Sequence, residues 1–65
     1  MLSLKEEKYL NKINRLNSLD VIKLNKRKEV EVGIADANDD YMLYDDLKKE
    51  LAIIETLIEL RMFLN

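Results

Sequence analysis

The sequence predicts an all-α fold, a two-helix antiparallel hairpin. Apolar residues recur at spacings of three and four in both halves of the chain, which is typical of one face of a helix. Each half opens with residues that cap helices, and the absence of proline means that nothing obliges either helix to break. We expect a single domain over residues 1–65, with one helix over about 4–28, a connector over 29–38 and a second helix over about 39–63.

The first helix has a clear start. Ser3 and Glu6 have the spacing of a capping box, in which each side chain binds the backbone amide of the other residue. Asn17 and Ser18 are the weak point of this helix, because both side chains compete for backbone hydrogen bonds and favour a bend. We nevertheless expect one helix to run through them.

The connector contains a short stretch, residues 29–35, in which β-branched apolar residues alternate with glutamates and the sole glycine, Gly33. Period-two alternation is typical of an extended segment. Three structures fit it: an ordered loop, a continuation of the first helix, or a strand that pairs with another molecule. Gly33 suits a turn or a helix C-terminus, so the loop is favoured.

The second helix has more apolar surface than one neighbouring helix covers. Ten of the fourteen residues from Leu51 to Leu64 are apolar, whereas a helix with one neighbour shows a stripe roughly 100° wide. A hairpin supplies one neighbour, so we expect a homodimer that forms a four-helix bundle. The predicted dimerisation residues are Tyr44, Leu47, Leu51, Ile54, Leu57 and Ile58.

Composition narrows the classes of function. The chain has no cysteine and no histidine, which removes the thiolate and imidazole ligands of transition metals and the commonest general base. No metal or cofactor is expected. No apolar run has the length of a membrane span and none resembles a secretory signal, so a cytoplasmic protein without membrane contact is expected.

Charge is distributed unevenly along the chain. Residues 1–31 carry eight basic and five acidic side chains, a balance of +3, whereas residues 32–65 carry three and eight, a balance of −5. This asymmetry favours pairing of the two halves within a hairpin or across a dimer.

Acidic residues and a tyrosine concentrate at the start of the second helix. Asp36, Asn38 and Asp40 have the first oxygen-ligand spacings of a calcium loop, but Tyr41 stands where that loop needs glycine and Leu47 where it needs glutamate. Helix capping explains the same residues. We expect a surface that docks on another protein, formed by Asp39, Asp40, Tyr41, Asp45 and Asp46.

A basic cluster lies towards the end of the first predicted helix: Lys23, Lys26, Arg27 and Lys28. These cations complement the negative end of a helix dipole. A dimer would carry two such clusters, which could contact DNA phosphates. A dimeric DNA-binding transcriptional regulator is therefore the alternative function.

A helical hairpin with an acidic second helix resembles the small aspartyl-phosphate phosphatases of sporulating bacteria, whose signature is a Ser-Gln-Glu-Leu-Asp run. The corresponding residues, 44–51, are Tyr-Asp-Asp-Leu-Lys-Lys-Glu-Leu and lack that run. The sequence therefore assigns no family. It also offers no nucleophile beside a base and no phosphate-binding glycine loop, so the chain is expected not to be an enzyme.

The expected function is that of a small intracellular regulator or inhibitor that docks on an unidentified host or cellular protein. The richness in Lys, Asn and Ile is typical of an AT-rich genome, such as that of a low-GC bacterium, its phage or a mobile element.

Overall fold

The computed structural model describes residues 2–64 and contains three helices and no strand within that range. Helix α1 spans Leu4–Ile13, α2 spans Ser18–Ala37 and α3 spans Tyr41–Leu64. The all-α prediction is confirmed. The two-helix hairpin is corrected to three helices, because the chain turns at residues 14–17 as well as at 38–40.

The first turn divides the segment that the sequence predicts as one helix over 4–28. Asn17 has extended backbone angles (φ −72°, ψ 166°) and caps α2, since its side-chain oxygen accepts a hydrogen bond from the Asp20 amide at 2.8 Å. The capping box of α1 is confirmed: the Ser3 hydroxyl accepts from the Glu6 amide at 3.2 Å, and the Ser3 amide donates to the Glu6 carboxylate at 3.5 Å. The weak point at Asn17 and Ser18 is thus a helix start and not a bend.

Arg61, near the end of α3, holds this turn in place. Its guanidinium donates from Nη2 to the backbone oxygens of Asn14 and Leu16, at 3.0 and 2.8 Å. Nη1 lies 3.5 Å from the hydroxyl of Ser18. Carbonyls at the end of a helix lack partners within that helix, so one side chain satisfies the end of α1 and fixes it beside α3.

The predicted connector is mostly helix. Residues 29–35 lie inside α2, so neither the favoured loop nor the strand is present, and the helical continuation is correct. This stretch is held in a helix by packing at its end: Ala35, two turns after Lys28, is buried. Packing against a second helix overrides the local preference for an extended chain.

The second turn ends α2 without glycine. The Asp39 amide donates to the backbone oxygen of Asp36 at 3.1 Å, and the Asp40 amide donates to that of Ala35 at 3.0 Å. This is the hydrogen-bond pattern of a Schellman motif. Asp39 occupies the left-handed position of that motif, with a φ of 55°. Gly33, the residue that the sequence suggests for a helix end, lies four residues before the last residue of α2.

One core joins the three helices. Ile13 of α1, Val21 of α2 and Ile53, Ile54 and Leu57 of α3 are buried together. α3 therefore has two neighbours within its own chain, which accounts for the width of its apolar face. The prediction that the chain supplies only one neighbour is wrong, because the turn at 14–17 releases α1 to pack on a second side of α3.

α1 covers only part of the α2–α3 pair. Its end lies beside Arg61 and its start lines a cavity with Asp46, so α1 runs in the same direction as α3. Ser3 and Leu4 stand at its start, whereas Ile34, Leu43 and the 38–40 turn lie beyond it. We call the α2–α3 region next to that turn the tip.

We expect Asn17→Ala to lower the free energy of unfolding by about 1 kcal/mol, because it removes the oxygen that caps α2. Urea denaturation followed by circular dichroism measures the change. Asn11→Ala is the matched control: Asn11 is exposed in the last turn of α1, and the same substitution there should be neutral or slightly stabilising. Equal effects at the two positions would contradict the helix start at Asn17.

We expect Gly33→Ala to raise the free energy of unfolding by about 0.5–1 kcal/mol, because alanine has the higher helix propensity. A Cβ atom at this position meets no atom within 4 Å. Lys26→Ala, an exposed change between two good helix formers on α2, should stay within about 0.5 kcal/mol. A loss of stability on Gly33→Ala would indicate that residues 29–35 are not helical.

Candidate binding surfaces

The five residues of the predicted docking surface are all exposed. Four of them lie at the tip, whereas Asp46 lines the cavity beside the start of α1. Asp39 and Asp40 belong to the turn before α3, whereas Tyr41, Asp45 and Asp46 lie in its first two turns. Tyr41 keeps 69% of its surface exposed, and its hydroxyl lies 3.5 Å from the Asp39 carboxylate. Asp40 is also the cap of α3, since it accepts a hydrogen bond from the Leu43 amide at 3.3 Å.

An apolar groove of about 200 Å³ lies between α2 and α3 at the tip, and Asp40 is the one predicted docking residue that lines it. We call it the tip groove. Its apolar members are Ile34, Ala35, Leu43 and Leu47, and its polar edge consists of Glu31, Asn38 and Asp40. Both helices α2 and α3 contribute, and no residue of α1 lines it. Ile34 and Leu43 retain 56% and 46% of their surface exposed.

The charge around the tip groove is negative. Glu31 and Asp40 line its edge, and Asp36 and Asp39 lie in the adjoining end of α2 and its turn. Exposed aliphatic side chains inside an acidic border suit a partner with an apolar centre and a basic periphery.

The basic cluster is divided by the structure. Lys23, Lys26 and Arg27 are exposed on α2. Lys28 points inwards: its ammonium lies 2.6 Å from the Glu50 carboxylate and 3.4 Å from that of Glu31. Three of the four predicted phosphate contacts are therefore accessible, and the fourth cation is held between helices.

The predicted dimerisation residues lie largely within the chain's own core. Leu47, Leu51, Ile54 and Leu57 are buried, and Tyr44 and Ile58 are half-buried. In this fold α1 and α2 cover the surface that the sequence assigns to a second copy. Self-association stays a prediction, and it needs a different surface of α3.

A polar cluster links all three helices beside the core. The ammonium of Lys28 on α2 lies 5.8 Å from the centre of the Tyr9 ring on α1 and binds Glu50 on α3. A cation over an aromatic face is attracted by the ring's quadrupole. The Tyr9 hydroxyl is enclosed and has no hydrogen-bond partner within residues 2–64.

The pKa values in this cluster are shifted by burial and by its charges. Burial by itself lowers the pKa of Lys28, but the hydrogen bond to Glu50 and the surrounding Tyr9, Glu50 and Glu31 outweigh it, so the pKa of Lys28 lies above 10.5. Burial raises the pKa of Tyr9 above 10.0; Lys28 opposes this rise, and Glu50 and Glu31 add to it.

A cavity of about 310 Å³ lies against this cluster between α1 and α3. Tyr9 and Ile53 form part of its wall. Its charged lining is mixed: Lys5, Lys8, Lys12, Lys49, Glu6, Asp46 and Glu50. Because the lining carries both signs of charge, it does not favour either an anionic or a cationic ligand. No group of three or more carboxylates that could hold a metal ion occurs within residues 2–64.

In comparisons with known proteins, no family model, curated protein or solved structure matches the chain. Among the described helices, none combines the length and apolar character needed to cross a membrane.

Three features of these surfaces leave little or no signal in the sequence. Ile34 and Leu43 lie nine residues apart and form one groove only because α2 and α3 pack together. The Lys28–Glu50 pair joins residues 22 positions apart, and only the contrast of charge between the chain's halves hinted at it. The contacts of Arg61 with backbone oxygens left no signal in the sequence beyond a single cation at the end of an apolar helix.

We expect the stabilising effect of Lys28 to be complete below pH 10 and to be lost as the pH rises above about 10.5. The folded protein binds this proton more tightly than the unfolded chain does, because the pKa of Lys28 is raised on folding. Tyr9 acts in the same direction above about pH 10. The measurement compares the free energies of unfolding of wild type and Lys28→Met from pH 8 to pH 11.5.

The difference between these two proteins should be about 1 kcal/mol at pH 8, since the pair is partly exposed, and should shrink as the pH rises to 11.5. Lys48→Met, at an exposed position of α3, is the control and should give a small difference that does not vary with pH. A difference for Lys28→Met that grows with pH would contradict the ion pair.

Proposed function

We propose that this protein is a non-catalytic protein-interaction module whose tip groove docks on a basic, amphipathic helical segment of another protein. The observation that carries the proposal is the exposed apolar floor at Ile34 and Leu43, inside an acidic border. A groove between two helices accepts a third helix through apolar side chains spaced three and four residues apart.

The apolar floor would supply most of the affinity. Ile34 and Leu43 are about half exposed, and covering an aliphatic side chain contributes roughly 25 cal/mol per Å² of surface removed from water. Tyr41 and Met42, at 69% and 84% exposure, stand at the same end of α3 on other sides of the helix, where a larger partner could also contact them. Tyrosine and methionine are enriched among the residues that dominate protein interfaces.

The acidic border would select the partner. Exposed charges add little affinity each, but they accelerate encounter with a basic partner and disfavour an acidic one. Asp39, Asp45 and Asp46 extend the negative surface along the start of α3. Lys48 and Lys49 follow them on the same helix and interrupt the negative surface there.

In this proposal the protein is a regulator or inhibitor that covers the basic helix of its target or replaces an acidic ligand there. The cytoplasm is the proposed compartment, and a phage or mobile element the proposed source. The composition supports both, through the lack of cysteine and the richness in Lys, Asn and Ile.

The test uses a synthetic helical peptide of about 18 residues with leucine on one face and lysine on the other. We expect it to bind the wild-type protein and to bind at least about tenfold more weakly after replacement of Asp39, Asp40, Asp45 and Asp46 by asparagine. Asparagine keeps the cap of α3 and tolerates the left-handed backbone at Asp39, so the loss would report charge. Isothermal titration calorimetry measures both affinities.

The matched control removes four negative charges elsewhere, by amide substitutions at Glu7, Asp20, Glu29 and Glu55, all exposed. This variant should bind the peptide nearly as tightly as wild type. Equal binding by the Asp39, Asp40, Asp45 and Asp46 variant, or equal binding of a peptide with glutamate in place of lysine, would overturn the proposal. So would a preference for duplex DNA that disappears when Lys23, Lys26 and Arg27 are neutralised.

A further inference from the structure

A second groove, between α1 and α3, is separate from the tip groove and has a volume of about 230 Å³. We call it the α1–α3 groove. Its apolar members are Leu2, Leu10, Ala52, Ile53 and Leu60, Thr56 also lines it, and Glu6 and Lys49 stand at its edge. Leu2 and Leu60 retain 39% and 52% of their surface exposed, and Ile53 is its buried floor.

The α3 side of this groove has the shape and chemistry for close helix contact. Ala52 and Thr56 are small residues one turn apart, and small residues let two helix backbones approach. The Thr56 hydroxyl donates to the Ala52 backbone oxygen at 2.8 Å. Its hydrogen is thus already used within the helix, and the methyl group can pack without leaving an unpaired donor.

The charges beside these two residues are arranged symmetrically and with opposite sign. The midpoint between Ala52 and Thr56 is position 54; Lys49 lies five positions before it and Glu59 five positions after it. Both side chains are outside the ion pairs that the structure shows within residues 2–64. A parallel copy of α3 would place Lys49 against Lys49, whereas an antiparallel copy places Lys49 against Glu59.

We propose that the occupant of the α1–α3 groove is a second copy of this chain, whose α3 packs antiparallel to α3 about a two-fold axis near position 54. In a two-fold interface every contact occurs twice. Ala52 then faces Thr56 of the second copy, and Lys49 faces its Glu59. Charge complementarity with itself is what favours a second copy over an unrelated partner.

This dimer differs from the four-helix bundle that the sequence predicts. Each chain keeps its own three-helix core, and the contact uses the outward side of α3, where Ala52 and Thr56 are exposed. The tip groove is left to a different partner, so the dimer would carry two docking sites. The inference does not depend on the proposed function.

The first test measures the mass of the wild-type protein by sedimentation equilibrium across a dilution series. We expect a reversible change from twice 7.7 kDa to 7.7 kDa on dilution. Ala52→Arg should abolish the dimer, because it places a long cation where the helices approach. Ala37→Arg is the matched control, the same change at an exposed residue at the end of α2, and should leave the dimer intact.

The second test reverses the charges. Lys49→Glu alone and Glu59→Lys alone should each weaken the dimer about tenfold, since each creates two repulsive contacts. The double variant should restore the dissociation constant to within about threefold of wild type, because only an antiparallel pair exchanges the two charges.

Three results would overturn the proposal: a wild-type protein that is monomeric at every concentration, a dimer that survives Ala52→Arg, or a double variant that dimerises no better than the single ones. Ala52→Arg should still bind the basic peptide at the tip with wild-type affinity. This measurement separates failure of the dimer from failure of the docking function.

Discussion

The fold depends on the turn at residues 14–17 and on the Arg61 guanidinium that holds it. Without this turn α1 and α2 would be one long helix, and α3 would have a single neighbour. Arg61 donates to two backbone oxygens in the turn, at 2.8 and 3.0 Å, and a charged donor makes these bonds stronger than neutral ones. One side chain thus connects the end of the chain's last helix to the end of its first.

The size of the protein explains why this connection matters. A chain of 65 residues buries a small core and has no disulfide to support it. Folding α1 back onto α3 adds Ile13 to the buried cluster and places Tyr9 and Leu10 against it. The polar cluster of Tyr9, Lys28 and Glu50 then adds directional contacts between helices whose apolar surfaces alone specify position less sharply.

Local signals predicted the starts of α1 and α3 well, but they predicted the start of α2 and the contacts between helices poorly. The box at Ser3 follows from four consecutive residues, and α3 begins within two residues of its predicted start. The turn before Asn17 leaves little sign in the sequence, because it contains neither proline nor glycine. Its stability comes from Arg61, more than forty residues away. The acidic tip could be predicted because charged residues at a helix start stay exposed. The apolar groove beside it could not, since Ile34 and Leu43 meet only through packing.

The short length of α1 implies that the protein is unevenly stable along its long axis. Where α1 covers the other helices, amide hydrogens around Ile53–Leu57 should exchange with solvent only when the whole molecule unfolds. Near the 38–40 turn two helices pack without a third, so their amides should exchange through smaller, local openings. A ligand that binds there supplies the missing third layer and removes those openings. Occupancy of the tip would thereby be recorded in the exchange rates of its own backbone.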